Sequence, residues 1–564
     1  MTTLVARPTR ARHSGAKQQT LALAHQRLML LMLVFLGVGM VIAGRIVWMN
    51  VASDGGRGNA VASLSARGDI VDRNGSVLAR TIEAWSIGVH PSKLLGNARA
   101  LAPQLARLMP ERSEAQYLEL LKSGRSFSYL RRRAMPELVA AVNALGEPAM
   151  AYAREPERLY PQTTLAAHVV GYTDFDGNGV MGMERVLNDQ LSSPLSHAKP
   201  IALSIDTRVQ AAMESELSAA MVDLRAIGAT GLVMDVETGE VISMVSLPLF
   251  NPNKSGQANP EALRNNVTQS VYELGSTFKP LTVANAIESG TVKNMARRYD
   301  ATGPISVGKF TISDTHSQHR WLNVPETLVH SSNVATARIA DELGVARTQA
   351  FFTKLGFGEP PHIELRERGR TLWPTSWGRV TNMTVAYGHG MAVTPLHLAS
   401  AYAAISNGGI WRPATLMRVE PGQAAKGRRI ISPHTSMIMR KLLRLIVTDG
   451  TGKNANVAGF RVGGKTGTAE RPVIGGYSKT INVSTFAAVF PMDKPRYVVI
   501  AMLDSPKGSA ASSGQTTAAF TAGPVVAKVI ARTGPMLGIY PDANREIDLS
   551  DMLPLLWKPK GERE

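Results

Sequence analysis

Cysteine is absent from all 564 residues. Disulfides, thiolate metal sites and thiol catalysis are therefore excluded, and an oxidising compartment is permitted without being required. Acidic residues are in short supply: 44 Asp and Glu stand against 62 Lys and Arg, a formal charge of +18. The surplus is scattered, and aromatic residues make up only 6% of the chain. No basic helix and no basic-aromatic interleaving emerge, so the composition favours a solvated surface facing an anionic envelope over nucleic-acid binding. Metal-ligand spacing is also lacking. His316, His330 and His389 are read as structural, and DFDGNG (174–179) lacks the glutamate that would complete a calcium loop, which leaves an Asx-rich turn. No metal and no cofactor are expected.

Long apolar runs are missing with one exception. LMLLMLVFLGVGMVIAG (28–44) carries no charge and continues past Arg45 as IVWM. Its length suits an uncleaved single-pass anchor, with Arg45 able to snorkel and Trp48 placed at the interface. A cleaved signal peptide is the competing reading, disfavoured because no small-x-small cleavage site lies close behind it. Arg7, Arg10, Arg12, Lys17 and Arg27 precede the run with no acidic residue among them. The positive-inside rule then places the N-terminus in the cytoplasm and everything after about residue 50 outside.

Residues 51–66 are small and polar and read as a linker. In RGDIVDRNGSVLAR (67–80), Asn74-Gly75 between short apolar runs signals a hairpin. ARALAPQLARLM and MPELVAAVNAL read as amphipathic helices. From residue 201 the format changes. Asp206-Thr207 is suited to capping a helix, and GLVMDVETGEVISMVSLP (231–248) reads as two strands around Thr238-Gly239. NVSTFAAVFPMDKPRYVVIAMLDSP (482–506) repeats that pattern around a turn at Met492 to Pro495. Between them the chain is largely helical, as in VTPLHLASAYAAISNGG with Thr394 as N-cap and Gly408 past the end. Strands at both ends with helices between predict an α+β domain whose sheet joins distant segments.

Three short motifs carry chemistry. Ser-x-x-Lys occurs as Ser14/Lys17, Ser196/Lys199, Ser276/Lys279 and Ser306/Lys309. Only Ser276 follows a glycine and opens a long helical pattern, FKPLTVANAIESG, in which Pro280 fixes a helix start near the serine. That start puts Ser276 and Lys279 on one face at the positive end of the helix. HSSNVATARIADELG holds Ser331 and Asn333, which alone would pass for a serine-rich cap. GGKTGTAE holds Lys465, Thr466, Gly467 and Thr468, which alone would pass for a turn. Ser-x-x-Lys, Ser-x-Asn and Lys-Thr-Gly in that order form the motif set of penicillin-binding proteins and class A β-lactamases.

The resemblance extends over the chain. RGDIVDRNG, ERLYPQ, AHVVGY, MGMER and AYGHGMAVTPLHLASAYAAISNGG resemble segments of monofunctional class B penicillin-binding proteins. Asn333 resembles the septal, cell-division branch, where the elongation branch tends to have aspartate. Leu274 departs from the family's usual proline before Gly-Ser, and a modest loop effect is expected. The resemblance implies a cytoplasmic tail (1–27), a transmembrane anchor (28–49), a linker (50–66), a non-catalytic pedestal of dimerisation type (67–198), a transpeptidase domain (199–540) with an antiparallel sheet and flanking helices, and a C-terminal tail (541–564).

The implied activity is D,D-transpeptidation of peptidoglycan stem peptides ending in D-Ala-D-Ala, with β-lactams as covalent inhibitors. Ser276 is then the expected nucleophile and Lys279 its base, made neutral by burial and by Lys465. Ser331 is expected to relay the proton, and Asn333 to hold Lys279 and the substrate amide. Lys465, Thr466 and Thr468, with Gly467 between them, would bind the terminal carboxylate, and the N–H groups of Ser276 and Thr468 would form the oxyanion hole. A periplasmic, septal location and partnership with a SEDS-family glycosyltransferase and other divisome membrane proteins are implied likewise. Two alternatives stay open: a D,D-carboxypeptidase or β-lactam-hydrolysing or sensing relative, and a catalytically dispensable division scaffold.

Overall fold

The computed structural model describes residues 27–45, 67–194, 199–308, 310–473 and 476–557. The basic cluster before Arg27, the Ser14/Lys17 pair, Trp48, the 51–66 linker, Ser196 and Lys309 lie outside them. Two units make up the chain, Met1–Ser65 and Ala66–Glu564. In the first, helix α1 (Arg27–Arg45) has 19 residues, with arginine at each end and none of its apolar window buried. At about 1.5 Å per residue it spans about 28 Å, close to the hydrocarbon thickness of a bilayer.

The second unit begins with the predicted hairpin. Strands β1 (Ile70–Val71) and β2 (Val77–Val89) pair antiparallel. Asp72 organises the turn by accepting the N–H groups of Asn74 and Ser76, each at 2.8 Å, and Gly75 takes the positive φ of 90° there. Next along the chain come helices α2 (Ala98–Leu108) and α3 (Glu114–Leu121), strand β3 (Ser128–Ala134), helix α4 (Pro136–Asn143) and strand β4 (Met150–Leu159). β2 pairs antiparallel with both β3 and β4. Their apolar face, with Ile87, Val89, Leu130 and Met150, shares a core with Leu101, Leu105, Tyr117, Leu121 and Val142 of the three helices.

Two features tie this region to the C-terminal part of the chain. β1 runs parallel to strand β5 (Ile201–Ala202). Asp72 also accepts from Thr207 Oγ1 at 2.8 Å, and Asn74 donates to Asp206 at 3.0 Å, so the hairpin turn seats on the start of helix α5 (Thr207–Asp223). Nearby, Arg67 and Arg158 each place Nε 2.7 Å from a carboxylate oxygen of Glu184, which is fully buried. These residues come from RGD, ERLYPQ and MGMER, so three separated segments meet on one buried charge. Removing either partner of such a pair typically costs about 3–5 kcal/mol.

The main sheet is five-stranded and antiparallel. Its strands are β6 (Gly228–Asp235), β7 (Val241–Leu247), β8 (Gly463–Val473), β9 (Gly476–Phe490) and β10 (Tyr497–Asp504), in the spatial order β8-β9-β10-β6-β7. As the sequence predicts, distant segments pair, with Tyr497 opposite Asp235 and Asp504 opposite Gly228. Period-two alternation sorts side chains to two cores. Leu232, Met234, Val498, Ile500 and Met502 join one core, and Val233, Val499, Ala501 and Leu503 the other. Helices α6 (Lys279–Glu288), α7 (Asn333–Leu343), α8 (Pro395–Ser406) and α9 (Pro433–Thr448) contribute to the first core; α5 and helix α10 (Ala522–Thr533) supply the second. Thr394 caps α8 as expected, its hydroxyl accepting from His397 N.

Residues 541–557 return to this body. Leu549 and Met552 are buried in the first core, Glu546 pairs with Arg444 at 2.6 Å, and Asn323 Nδ2 donates to Leu555 O at 2.6 Å. DFDGNG is the predicted Asx turn: Asp174 Oδ1 accepts from Asp176 N and Asn178 N.

Candidate active site

The three motifs, far apart in sequence, meet on the outer edge of β8. Ser276 lies in a single 3-10 turn, Gly275–Phe278, and the α-helix begins only at Lys279. The sequence pattern alone places the α-helix one turn earlier. In a 3-10 turn residues three apart eclipse one another, so Ser276 and Lys279 keep a common side by a different geometry.

The turn is anchored from several sides. Phe278, fully buried, packs against Phe352 and Phe357 with ring centroids 5.6 and 5.5 Å away. Tyr402 of α8 donates its hydroxyl to Thr277 O at 2.8 Å, and Thr277 Oγ1 donates to Leu274 O at 2.9 Å. Leu274, where the family often has proline, is buried. Two glycines permit the closest approaches. A Cβ on Gly467 would lie 2.4 Å from Leu274 O, and one on Gly388 would lie 2.1 Å from Gly275 O. Neither contact tolerates a side chain, which is why the KTG strand and the YGHG loop close directly onto the serine turn.

Lys279 is fully buried, and its ammonium donates to Ser331 O at 2.5 Å and to Ser331 Oγ at 3.1 Å. Burial lowers its pKa to about 7, with the charge of Asp314 opposing the shift. Lys465 is also fully buried. Burial, then the charge of Lys279, hold its pKa well below the ordinary lysine value. Its Nζ donates to Thr466 Oγ1 at 3.1 Å, Thr466 O at 3.2 Å and Thr451 Oγ1 at 3.4 Å. Thr468 is exposed on the strand, and its hydroxyl accepts from Ala518 N at 3.0 Å, leaving its proton free to donate.

The Ser-Ser-Asn triplet divides its work. Ser332 is the helix cap, accepting from Ala335 N at 3.0 Å and donating to Asp314 Oδ2 at 2.7 Å. Ser331 is left to face Lys279, in a left-handed conformation with φ of 58° that non-glycine residues rarely adopt. Asn333 departs from expectation. Its Nδ2 donates to Ser313 O at 3.0 Å, and among the described residues Lys279 is held by Ser331 alone. Asn333 is the first residue of α7, and its side-chain amide is engaged by the Ser313 carbonyl.

Sequence reading missed Asp314, Thr451, Gly388 and Tyr402. Gly388 and Tyr402 lie within the AYGHGMAVTPLHLASAYAAISNGG segment, but nothing in its pattern marks them as site residues, and Asp314 and Thr451 lie in no motif. Each matters only because the fold brings it beside a motif residue. His389, read as structural, meets the Glu273 carboxylate at 3.4 Å.

Comparisons with known proteins agree with this geometry. Residues 229–528 match the penicillin binding protein transpeptidase domain, and residues 62–193 match the penicillin-binding protein dimerisation domain. The chain is 39% identical over 504 residues to the probable peptidoglycan D,D-transpeptidase FtsI of Caulobacter vibrioides, covering 87% of this chain and 85% of that protein. It is 28% identical over 545 residues to the peptidoglycan D,D-transpeptidase FtsI of Escherichia coli, covering 89% and 90%. Penicillin binding protein 3 of Mycobacterium tuberculosis, solved in complex with aztreonam, superposes with a TM-score of 0.67 at 26% identity, covering 85% of this chain and 97% of that one. With the serine turn, the buried lysine pair and the KTG edge strand assembled as described, the chain belongs to the class B penicillin-binding proteins.

Proposed function

We propose that the protein is a peptidoglycan D,D-transpeptidase of the cell-division branch. The observation that carries this is Lys279: a fully buried lysine, brought to a pKa of about 7, three residues from a serine on the same turn. A serine hydroxyl needs a base to attack an amide, and a lysine serves only when neutral.

Neutral Lys279 takes the Ser276 proton as Ser276 Oγ bonds to the carbonyl carbon of the penultimate D-alanine of a stem peptide. The C–N bond to the terminal D-alanine breaks, and its amine leaves with a proton passed through Ser331. An acceptor amine from a neighbouring stem then attacks the ester, forms the cross-link and returns a proton to Ser276. Backbone N–H groups of Ser276 and Thr468 stabilise the oxyanion. Thr466, Thr468 and Lys465 hold the terminal carboxylate. Asn333, on the rim, receives the substrate amide. A β-lactam presents the same acyl and carboxylate groups and acylates Ser276.

The 19-residue apolar helix and the basic residues before it support a single tether with the catalytic region in the periplasm. A septal location, with a SEDS-family glycosyltransferase and other divisome proteins as partners, is supported by the division-type relatives.

The test is covalent labelling of the full-length, detergent-solubilised protein by fluorescent penicillin, with Ser276→Ala in parallel. A stable adduct on the wild type, lost in the variant, is expected. Catalytic consumption of penicillin would replace the transpeptidase by a hydrolase, and no labelling of either protein would favour a scaffold.

A further inference from the structure

Ser331 terminates the short helix Val324–Val329, with His330 as its C-cap. Ser332 N donates to Thr327 O at 3.0 Å, and Ser331 N donates to Leu328 O at 3.2 Å. Those two bonds around a left-handed residue are the Schellman termination, whose left-handed position glycine usually fills. Ser331 fills it here, at a φ of 58°. Its carbonyl and hydroxyl, the two groups on Lys279 Nζ, therefore point where the end of this helix directs them.

The helix has only 6 residues, too few to persist without support from outside. Asn323 and Glu326 form a capping box at its start. Asn323 Oδ1 accepts from Glu326 N at 2.9 Å, and Glu326 Oε2 accepts from Asn323 N at 3.1 Å. Both side chains are buried, and each uses its remaining polar atom on a distant segment. Asn323 Nδ2 donates to Leu555 O at 2.6 Å, and Glu326 Oε1 accepts from Trp557 N at 3.0 Å. Arg320 joins the two ends of the helix. Its guanidinium lies 2.9 Å from Glu326 Oε1, 5.2 Å from the Trp557 ring centroid and 3.4 Å from Nε2 of His330, the residue before Ser331.

The distant segment has its own footing. Glu546 pairs with Arg444 at 2.6 Å and Asp551 with Lys441 at 2.8 Å, both on α9, while Leu549 and Met552 are buried in the first core. The chain after α9 supports the helix at its other end, where Thr451 N donates to Val329 O at 3.4 Å.

We propose that residues 546–557 act as a strap for the catalytic site, and that Glu326 is a positioning residue: by tying Leu555 and Trp557 to the start of the 324–329 helix, they set its far end so that the Ser331 hydroxyl faces Lys279. This rests on the transpeptidase reading above. It assigns a role in the chemistry to a segment that contains none of the three motifs.

The experiment is a double-mutant cycle on the full-length protein. A chain stopped after Pro554 loses the Leu555 and Trp557 contacts and keeps Glu546, Leu549, Asp551 and Met552. It is made with Ser331 intact and with Ser331→Gly, which retains the left-handed turn and lacks the hydroxyl. Stopped-flow acylation by fluorescent penicillin and thermal melting are measured on each. The truncation is expected to slow acylation by at least about tenfold with the hydroxyl present and by less than about threefold without it, while lowering the thermal midpoint equally in both. Glu326→Gln, which offers one acceptor oxygen to three donors, repeats the cycle with the whole chain present and decides the matter if the truncated chain does not melt cooperatively. Equal slowing in both backgrounds, or no slowing, would overturn the proposal, since the segment would then only stabilise the fold. Absence of penicillin labelling in the wild type would overturn the transpeptidase reading itself, and this proposal with it.

Discussion

The Lys279 ammonium touches both oxygens of Ser331, the carbonyl at 2.5 Å and the hydroxyl at 3.1 Å, while its own motif partner Ser276 forms no side-chain hydrogen bond among the described residues. The lysine is thus held by the second motif and not by the first.

Acylation by penicillin should rise with pH. The pKa of Lys279 is lowered to about 7, chiefly by burial, and only the neutral amine accepts a proton. The rate should climb between about pH 6 and pH 8 and then level. Asp314 favours the protonated lysine, so Asp314→Asn should move the rising limb to lower pH. A limb that moves to higher pH, or does not move, would show that Asp314 acts only by holding Ser332 and Val334.

Replacing Ser331 separates backbone from side chain. Ser331→Gly keeps the left-handed φ of 58° and the carbonyl contact to Lys279 but deletes the hydroxyl. The thermal midpoint should change little, and acylation should slow by about 10²–10⁴-fold if the hydroxyl moves the proton. Stopped-flow acylation with a melting curve on the same preparation reads both quantities.

Gly388→Ala should disable the site from outside the motifs. The added Cβ would meet Gly275 O at 2.1 Å, at a φ of 88° that alanine adopts only under strain. The serine turn must shift, so labelling should fall by orders of magnitude. Gly390→Ala has a similar φ, but its nearest neighbour is at 3.6 Å. It carries the backbone strain, about 1–3 kcal/mol, without the clash. The two variants compared by labelling and melting distinguish displacement of the turn from general destabilisation.

Two buried histidines predict acid sensitivity. His168 and His397 both have pKa values lowered to about 4, first by burial. They stay neutral in the folded protein while the unfolded chain protonates near 6.5. Their contribution is complete above about pH 6.5 and is lost as pH falls towards 4, up to about 3 kcal/mol each. Thermal midpoints measured across that range should fall, and less steeply in His168→Gln than in the wild type.

The candidate site was legible in sequence because its residues fall in short motifs of recognisable type and order. Ser276, Lys279, Ser331 and Lys465 could be named on that basis, and the tether could be named from seventeen uncharged residues between Arg27 and Arg45. The hairpins at 231–248 and 482–506 were legible as well, since alternation and turn residues act locally. Several decisions belonged to the tertiary structure alone. Burial lowers the pKa of Lys279 to about 7, and burial is a property of the packed helices, not of the residue. Asn333 bonds to Ser313 O, twenty residues earlier, and no spacing rule reports that partner. Gly388 and Tyr402 reach the serine turn from over 100 residues away. β8 and β7, over 200 residues apart, become edges of one sheet only through that packing. Local pattern determined which groups were present; long-range packing determined which of them are dry, neutral and facing one another.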